Sequence, residues 1–178
     1  MTKVLTIPNP LLREKSKPVV INKKTSQLVK TLKETLVDKE GKTKGVGLAA
    51  VQIGFPKRVF LAYSPASKDF LTFINPEIIW YSKRLTNPKK SKLEGCLSVP
   101  NKWAFIKRAK AIKIRYQTET GQTVVRRFDG LMACIIQHEY DHLEGILFID
   151  RALEQKAKVF ELVKDEEGKE RLKEVRIC

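Results

Sequence analysis

The only two histidines of the chain, His138 and His142, lie four residues apart in the sequence Gln-His-Glu-Tyr-Asp-His. Residues i and i+4 of an α-helix lie one above the other on the same face. Two imidazoles in this arrangement can bind one metal ion from adjacent turns, and Glu139 beside them can reach a water molecule on that ion. The apolar residues before them predict a mostly buried helix, with Asp129 as a candidate N-cap and Gly145 as a candidate stop.

The same H-E-x-x-H pattern can arise by chance on a solvated helix, because only three of its residues are fixed. The apolar residues before the motif and the use of histidine nowhere else favour a metal site. In metzincins a third histidine follows at the position that Phe148 occupies here. The third ligand is therefore expected from another part of the chain.

Length and composition predict a single globular domain. A chain of 178 residues is long enough to bury a core, and its 42% hydrophobic and 31% charged residues are typical of soluble proteins. No apolar run is long enough to cross a bilayer, and the first residues do not resemble a secretory or transit peptide, so we expect a cytoplasmic protein with no membrane partner. The odd cysteine count (Cys96, Cys134 and Cys178) argues against a disulfide framework. Nothing in the sequence demands more than a monomer.

Positive charge is concentrated in one segment. The net charge is +15, and residues 81–127 hold thirteen lysines and arginines against two acidic residues. A basic surface of this kind favours anionic partners such as RNA, and the ribosome surface is one possible partner. The alternative is that the charge serves solubility alone.

Hydrophobic periodicity predicts the remaining elements. A helix is expected over Thr25–Glu40, capped by Thr25 or Ser26 and ended by Gly41, and a loop or hairpin tip over Tyr81–Lys92. The tail is ambiguous, either a helix over Leu153–Val163 or a hairpin of Val159–Lys164 with Leu172–Ile177. Gly45–Gln52 is expected to be extended, and strands are expected over Thr2–Ile7, Arg58–Tyr63, Leu71–Ile74 (ended by Asn75-Pro76), Ala111–Gln117 and Thr123–Phe128.

Two further clusters carry chemistry. Glycines in Gly45–Gln52 would let another backbone approach closely, and the Gln52 amide can donate to a carbonyl. Glu94–Ser98 places Cys96 on a turn flanked by glycine, and a thiolate is a good ligand for a borderline-soft divalent ion. Taken alone, each cluster is equally compatible with a purely structural role.

Together the three stretches resemble the signature motifs of the bacterial-type peptide deformylases. The family patterns G-x-G-x-A-A-x-Q, E-G-C-x-S and Q-H-E-x-D-H-x-x-G are matched, in that order, by Gly45–Gln52, Glu94–Ser98 and Gln137–Gly145. The resemblance extends over residues 3–151. It implies an α+β fold with antiparallel β-sheets around a central helix carrying the HExxH metal motif. It also implies a single catalytic domain over residues 1–178, in which 153–178 form a C-terminal extension.

The resemblance implies an activity and a set of roles. The reaction would be hydrolysis of the N-formyl group from the initiator formyl-methionine of nascent polypeptides, with release of formate. Cys96, His138 and His142 would bind one divalent metal ion per chain, with Fe²⁺ expected physiologically and Zn²⁺, Ni²⁺ or Co²⁺ able to replace it. Glu139 would transfer the proton, while Gln52 and the Leu97 backbone N–H would stabilise the oxyanion.

Substrate contacts are also implied by the resemblance. The peptide backbone would add as a strand alongside Val46-Gly47 and Glu94-Gly95. The methionine side chain would occupy a slot lined by Val46, Leu131, Cys134 and Ile135. Glu94 and Gln137 would steady the site through hydrogen bonds. Asp141 would at most support the site in the same way, and the alternative for it is a solvated or capping role.

Departures from the family pattern leave some points open. Val51 stands where most relatives have proline, and Asn101-Lys102-Trp103 stands where many bacterial members carry glycines or an arginine. Peptide preference beyond the first residue is therefore not implied. Two other functions are compatible with parts of the sequence, namely an H-E-x-x-H metallopeptidase with a carboxylate as third ligand, and a basic RNA-binding protein with a structural zinc site.

Overall fold

The computed structural model describes residues 2–37, 43–87, 92–164 and 169–176. Three α-helices lie in this part of the chain: α1 (Lys23–Leu36), α2 (Gly130–Leu143) and α3 (Phe148–Glu154). Two short 3-10 helices cover Pro10–Arg13 and Ala50–Ile53. The strands are β1 (Gly47–Ala49), β2 (Val59–Ser64), β3 (Asp69–Tyr81), β4 (Glu94–Cys96), β5 (Val99–Ala104), β6 (Ala111–Gln117), β7 (Thr123–Asp129), β8 (Val159–Lys164) and β9 (Glu170–Val175).

The strands form two antiparallel sheets. One sheet has five strands in the order β1-β2-β3-β6-β7, and the other has four in the order β4-β5-β8-β9. Side chains alternate between the two faces of a strand. In β2, Phe60 packs in the cluster that includes residues of α2, while Val59 and Leu61 pack in the cluster that includes residues of α1. A helix therefore packs on each face of the five-stranded sheet at β2, and the predicted α+β fold with a central motif-bearing helix is confirmed.

Helix α2 begins and ends where the sequence predicts. Asp129 occupies the N-cap position in extended conformation, although its side chain makes no capping hydrogen bond. Gly145 lies just beyond the C-cap with φ of 73°, and a side chain there would also collide with the carbonyl of Arg13. Both reasons require glycine at this position.

Both ends of the first predicted helix and the first predicted strand differ from the structure. Helix α1 begins earlier than predicted because Asn22, rather than Thr25 or Ser26, is the cap and accepts hydrogen bonds from the first-turn N–H groups. No strand is formed within Thr2–Ile7, although Leu5 and Ile7 donate backbone hydrogen bonds to Gln52 and Ser98. Helix α1 ends at Leu36, where Val37 is already extended, so its predicted continuation to Glu40 is wrong. Gly41, residues 88–91 of the predicted loop and Cys178 lie outside the described residues.

The Asn75-Pro76 pair does not end its strand. Strand β3 continues to Tyr81 through a register shift between Ile74 and Glu77. Asn75 adopts a positive φ of 48°, and its side chain bonds to the backbone of Val19 at 2.8 Å. The pair therefore forms a bulge, which accommodates a proline within a strand.

The ambiguous tail forms a hairpin. Strands β8 and β9 pair from Val159↔Val175 to Lys164↔Glu170, so the predicted helix over Leu153–Val163 is wrong beyond the end of α3 at Glu154. Among the described residues, none of the helices combines the length and the apolar character needed to cross a membrane.

Candidate active site

The two sheets and α2 bring one thiol and two imidazoles together. His138 and His142 lie on the buried face of α2, and Cys96 is the last residue of β4. One ligand atom from each of the three lies within 4.8 Å of the others, and Cys96 Sγ is 3.2 Å from His142 Nε2. The site is capable of binding a metal ion, because a thiolate and two neutral imidazoles are a donor set that divalent transition metals accept.

A buried carboxylate orients the first histidine. Glu94 Oε1 lies 2.7 Å from His138 Nδ1. With Nδ1 held by a carboxylate, Nε2 is the ring nitrogen left for a metal bond, as in the carboxylate–histidine pairs of many metal sites. The observed donor set and its orientation therefore fit a bound cation.

Glu94 belongs to a charge network that the sequence did not predict. Arg108 donates to Glu94 Oε1 at 2.6 Å and to Asp141 Oδ2 at 2.5 Å, and Arg151 donates to Asp141 Oδ1 at 2.7 Å. Asp141 is only 6% exposed, so the solvated alternative is wrong, and its carboxylate supports the site through Arg108. Its position on the helix turn that carries the histidines gives the network a second anchor on α2.

The electrostatics of the site follow from this burial. Burial opposes the charged form of Glu94, but His138 and Arg108 lower its pKa to about 2. Burial lowers the pKa of His142 well below its usual value, which keeps this imidazole neutral and able to bind a metal. Burial raises the pKa of Glu139 to about 7.

Glu139 faces the edge of the five-stranded sheet. A Cβ on Gly47 would lie 2.3 Å from Glu139 Oε1, so the missing side chain leaves room for the carboxylate against β1. In the described part of the chain, the buried Glu139 Oε2 has no hydrogen-bond partner. A buried polar atom without a partner is rare, and here it faces a site where a water molecule or substrate could bind.

The Gln52 side chain is fixed with its amide nitrogen toward Cys96. Its Oε1 accepts from the Ala49 N–H at 2.8 Å, and its Nε2 lies 3.1 Å from Ser98 Oγ and 3.5 Å from Cys96 Sγ. The hydrogen bond to Ala49 assigns the oxygen and nitrogen of the amide. Leu97 lies in the turn between Cys96 and Ser98, with its side chain 37% exposed.

One cavity of about 850 Å³ is lined by Gln52, Cys96, Leu97, His138 and Glu139. Val46 and Leu131, each about half exposed, lie on its wall together with the buried Ile135 and the partly buried Cys134, and burial raises the pKa of the Cys134 thiol. Gly47, Glu94 and Gly95 also line it, so all of the residues expected to contact substrate lie around one space. Gln137 is buried beside it and holds the Ala109 backbone through both its amide oxygen and its amide nitrogen.

Phe148 occupies the position of a metzincin's third histidine. Its ring packs near that of His138 with 6.3 Å between centroids, so this position contributes an apolar wall. The third donor is Cys96, which lies on β4 of the four-stranded sheet.

Comparison with known proteins identifies the family. A model of the polypeptide deformylase family matches residues 1–158. The chain belongs to this family. Polypeptide deformylases are metal-dependent hydrolases that remove the N-formyl group from nascent peptides.

Individual deformylases match most of the chain. The peptide deformylase of Bartonella tribocorum is 38% identical over 155 residues, which cover 84% of this chain and 83% of the relative. That of Pseudothermotoga lettingae is 42% identical over 149 residues, covering 83% and 81%. The crystal structure of peptide deformylase from Thermotoga maritima has a TM-score of 0.75 at 34% identity and covers 85% of this chain and 97% of its own. A probable peptide deformylase from Synechococcus phage S-SSM7 has the same TM-score at 37% identity, covering 85% and 99%.

Proposed function

We propose that this chain hydrolyses the N-formyl group from the initiator formyl-methionine of nascent polypeptides. In this proposal, different residues of the site bind the metal ion, transfer the proton and stabilise the oxyanion. The observation that carries the proposal is that the Cys96, His138 and His142 donor atoms lie together, and that two of these residues line one cavity with Glu139 and Gln52. Cys96, His138 and His142 hold a divalent cation, expected to be Fe²⁺, with Zn²⁺, Ni²⁺ or Co²⁺ able to replace it. When bound, the cation supplies Lewis acidity, which makes hydroxide available near neutral pH.

Glu139 moves the proton. Its carboxylate accepts the proton of the attacking water and donates it to the methionine amine as the C–N bond of the formamide breaks. The products are formate and a free amino group, so one water is consumed per formyl group. The buried carboxylate, which lies against Gly47 and leaves Oε2 without a partner within the described residues, is positioned for this exchange.

Gln52 and Leu97 stabilise the negative charge that develops on the formyl oxygen. Gln52 Nε2 is held toward Cys96 because its oxygen accepts from the Ala49 N–H. The Leu97 backbone N–H follows Cys96 directly in the chain. Loss of one such donor typically lowers kcat by about 10²–10³.

The peptide binds between two sheet edges. Strand β1 is the edge of the five-stranded sheet and β4 is the edge of the four-stranded sheet. A peptide added as a strand beside Val46-Gly47 and Glu94-Gly95 would exchange backbone hydrogen bonds with them. The methionine side chain would then occupy the part of the cavity lined by Leu131, Cys134 and Ile135.

Formate release tests the activity. Anaerobically purified protein loaded with Fe²⁺ or Ni²⁺ should release formate from a formyl-methionyl tripeptide, and a chelated sample should not. The Glu139→Ala variant should keep its metal and lose turnover, because the ligands are untouched. Near-native rates in that variant would show that Glu139 is not the base. Cleavage of internal peptide bonds without formate release would indicate a metallopeptidase instead.

The basic segment supports a further part of the proposal, an association with the ribosome surface. On the outward side of β3, β6 and β7, Lys113 and Arg127 lie 6.0 and 5.7 Å from the ring of Trp80. Trp80 is 41% exposed, so the aromatic ring and its cationic neighbours form one accessible surface. Such a surface suits RNA, whose phosphates attract cations and whose bases stack on aromatic rings.

Cosedimentation with ribosomes tests this association. Binding should weaken steeply as salt rises from 50 to 200 mM, and Lys113→Glu combined with Arg127→Glu should reduce it without changing formate release. Salt-independent binding, or no binding at low salt, would indicate that the positive charge serves solubility alone. The proposal also includes a monomer acting in the cytoplasm, which gel filtration and cell fractionation test.

A further inference from the structure

The C-terminal hairpin is built into the sheet that forms one side of the substrate cavity. The hairpin of β8 and β9 begins with β8 at Val159, immediately after the last residue matched by the family model at position 158. Strand β8 pairs with β5 through Trp103↔Phe160 and Ala104↔Val159, and β5 in turn pairs with β4. The hairpin is therefore two strands away from the edge that we propose to bind the peptide.

Side-chain contacts tie the hairpin to the middle of β5. Glu161 forms an ion pair with Lys102, and Asn101 Oδ1 accepts from the Leu162 N–H at 3.3 Å. The ring of Phe160 meets that of Phe105 edge-on, with 6.2 Å between centroids. These contacts flank Trp103 on both sides, so the hairpin supports the strand at the point where the tryptophan projects.

Trp103 lies against the β4 edge. A Cβ on Gly95 would be 2.7 Å from Trp103 Nε1 and 2.8 Å from Cδ1, so the indole covers the bare backbone of that glycine. Trp103 is partly buried and lines the cavity that holds Glu139 and the metal-binding group. An indole in this place presents a large apolar surface beside the path of the peptide.

We propose that Trp103, held over Gly95 by the C-terminal hairpin, contacts the residues that follow formyl-methionine and favours apolar or aromatic side chains there. The inference rests on the proposed function and specifies its substrate class. Formyl-methionine occupies the cavity near Leu131, Cys134 and Ile135. A peptide extended along β4 must then pass Gly95 and the indole beside it. An aromatic side chain packed on an indole gains a face or edge contact that alanine cannot make.

The selectivity of Trp103→Ala tests the proposal. Formate release is measured for formyl-Met-Ala-Ala and for two peptides in which phenylalanine replaces the second or the third residue. For the native enzyme, kcat/KM should be higher for at least one phenylalanine peptide than for formyl-Met-Ala-Ala. Trp103→Ala should lower the ratio of these two kcat/KM values about three- to tenfold, which is the size of an aromatic pair contact. The matched control is Phe55→Ala, which removes an exposed aromatic side chain outside the cavity lining and should leave the ratio unchanged.

A hairpin variant tests the support. Phe160 is the register partner of Trp103, and Phe160→Ala removes the ring that packs against Phe105, so the variant should lower the same ratio in the same direction. Leu172→Ala is the control on β9, where the side chain is 46% exposed. An unchanged ratio in Phe160→Ala would overturn the role of the hairpin, and an unchanged ratio in Trp103→Ala would overturn the contact itself.

Fluorescence provides a readout that does not depend on turnover. In Trp80→Phe, Trp103 is the only tryptophan, so titration with Met-Phe-Phe and with free methionine reports directly on its surroundings. The tripeptide should change the emission saturably and methionine should not. A change caused equally by both ligands, or by neither, would refute the proposal. This result is independent of formate release, so failure of the contact can be distinguished from failure of the proposed activity.

Discussion

Gly47→Ala should separate the proton-transfer role of Glu139 from metal binding. A Cβ at this position would lie 2.3 Å from Glu139 Oε1, 2.7 Å from the carboxyl carbon and 2.9 Å from Cγ. Non-bonded carbon atoms settle about 3.5–4.0 Å apart, so the carboxylate must retreat by about 1 Å. Strand β1 cannot easily move instead, because Gly47 is paired with Ala62 in the sheet.

The magnitude follows from this displacement. A misplacement of about 1 Å at a reacting group can cost about 10²-fold in rate, and complete loss of a general base costs about 10²–10⁴-fold. We therefore expect kcat of Gly47→Ala to fall about 10²-fold, equivalent to about 2.7 kcal/mol in the barrier. Metal content should stay stoichiometric, because the new methyl group approaches Glu139 rather than Cys96, His138 or His142.

The assay compares two neighbouring glycines. Gly45→Ala introduces a Cβ that would make only ordinary contacts, 3.5 Å from Leu97 and 3.6 Å from Leu36. Formate release from one formyl tripeptide is measured for both variants at equal metal occupancy, with kcat and KM determined separately. Steric loss of peptide pairing at Gly47 would raise KM, whereas displacement of Glu139 lowers kcat. A kcat for Gly47→Ala within threefold of that for Gly45→Ala would refute the reasoning.

Three further outcomes are expected. Cys96→Ser should weaken metal retention on dialysis, since a hydroxyl is a poorer ligand than a thiolate; tight stoichiometric metal would point to another third ligand. Arg108→Met should lower the unfolding free energy by about 3–5 kcal/mol in urea, because two buried carboxylates lose their shared partner. Partial burial opposes the charged form of Glu119, but hydrogen bonds from Thr72 and Lys33 lower the pKa of its carboxyl group. Its stabilising effect is therefore present above the unfolded-state value of 4.5 and lost as pH falls below it. Glu119→Gln should reduce stability at pH 7, by about 1 kcal/mol or less, and match the native protein under acidic conditions.

Local patterns predicted the elements whose causes are local. Ala111–Gln117 alternates apolar and polar residues, and the structure has a strand with the same bounds. The helix that carries His138 could be recognised from its apolar residues and from Gly145, which is required by backbone geometry alone. The hairpin of the tail remained ambiguous because Val159 and Phe160 become strand residues through pairing with β5, a contact that is distant in sequence.

The charge network could not be predicted for the same reason. Arg108 lies in a segment rich in exposed cations, and no spacing distinguishes it from its neighbours. Its role depends on burial at 6% exposure between Glu94 and Asp141, which lie 14 residues before it and 33 residues after it. The one available signal was weak, since two acids placed within the motifs must find a cation once they are buried.

Strand β4 joins the metal-binding group to the edge that we propose to bind the peptide. Its three residues have three functions: Glu94 holds His138 Nδ1, Gly95 lies beneath Trp103, and Cys96 is the thiol of the metal-binding group. A register shift between Gly95 and Cys96 breaks the regular alternation, and such an irregularity can redirect a side chain. Since consecutive Cα atoms are about 3.8 Å apart, any shift of this short strand moves the thiol and the peptide-binding edge together. Neighbours that fix β5, including the C-terminal hairpin, therefore stabilise the geometry of the metal-binding group as well as that of the proposed peptide cleft.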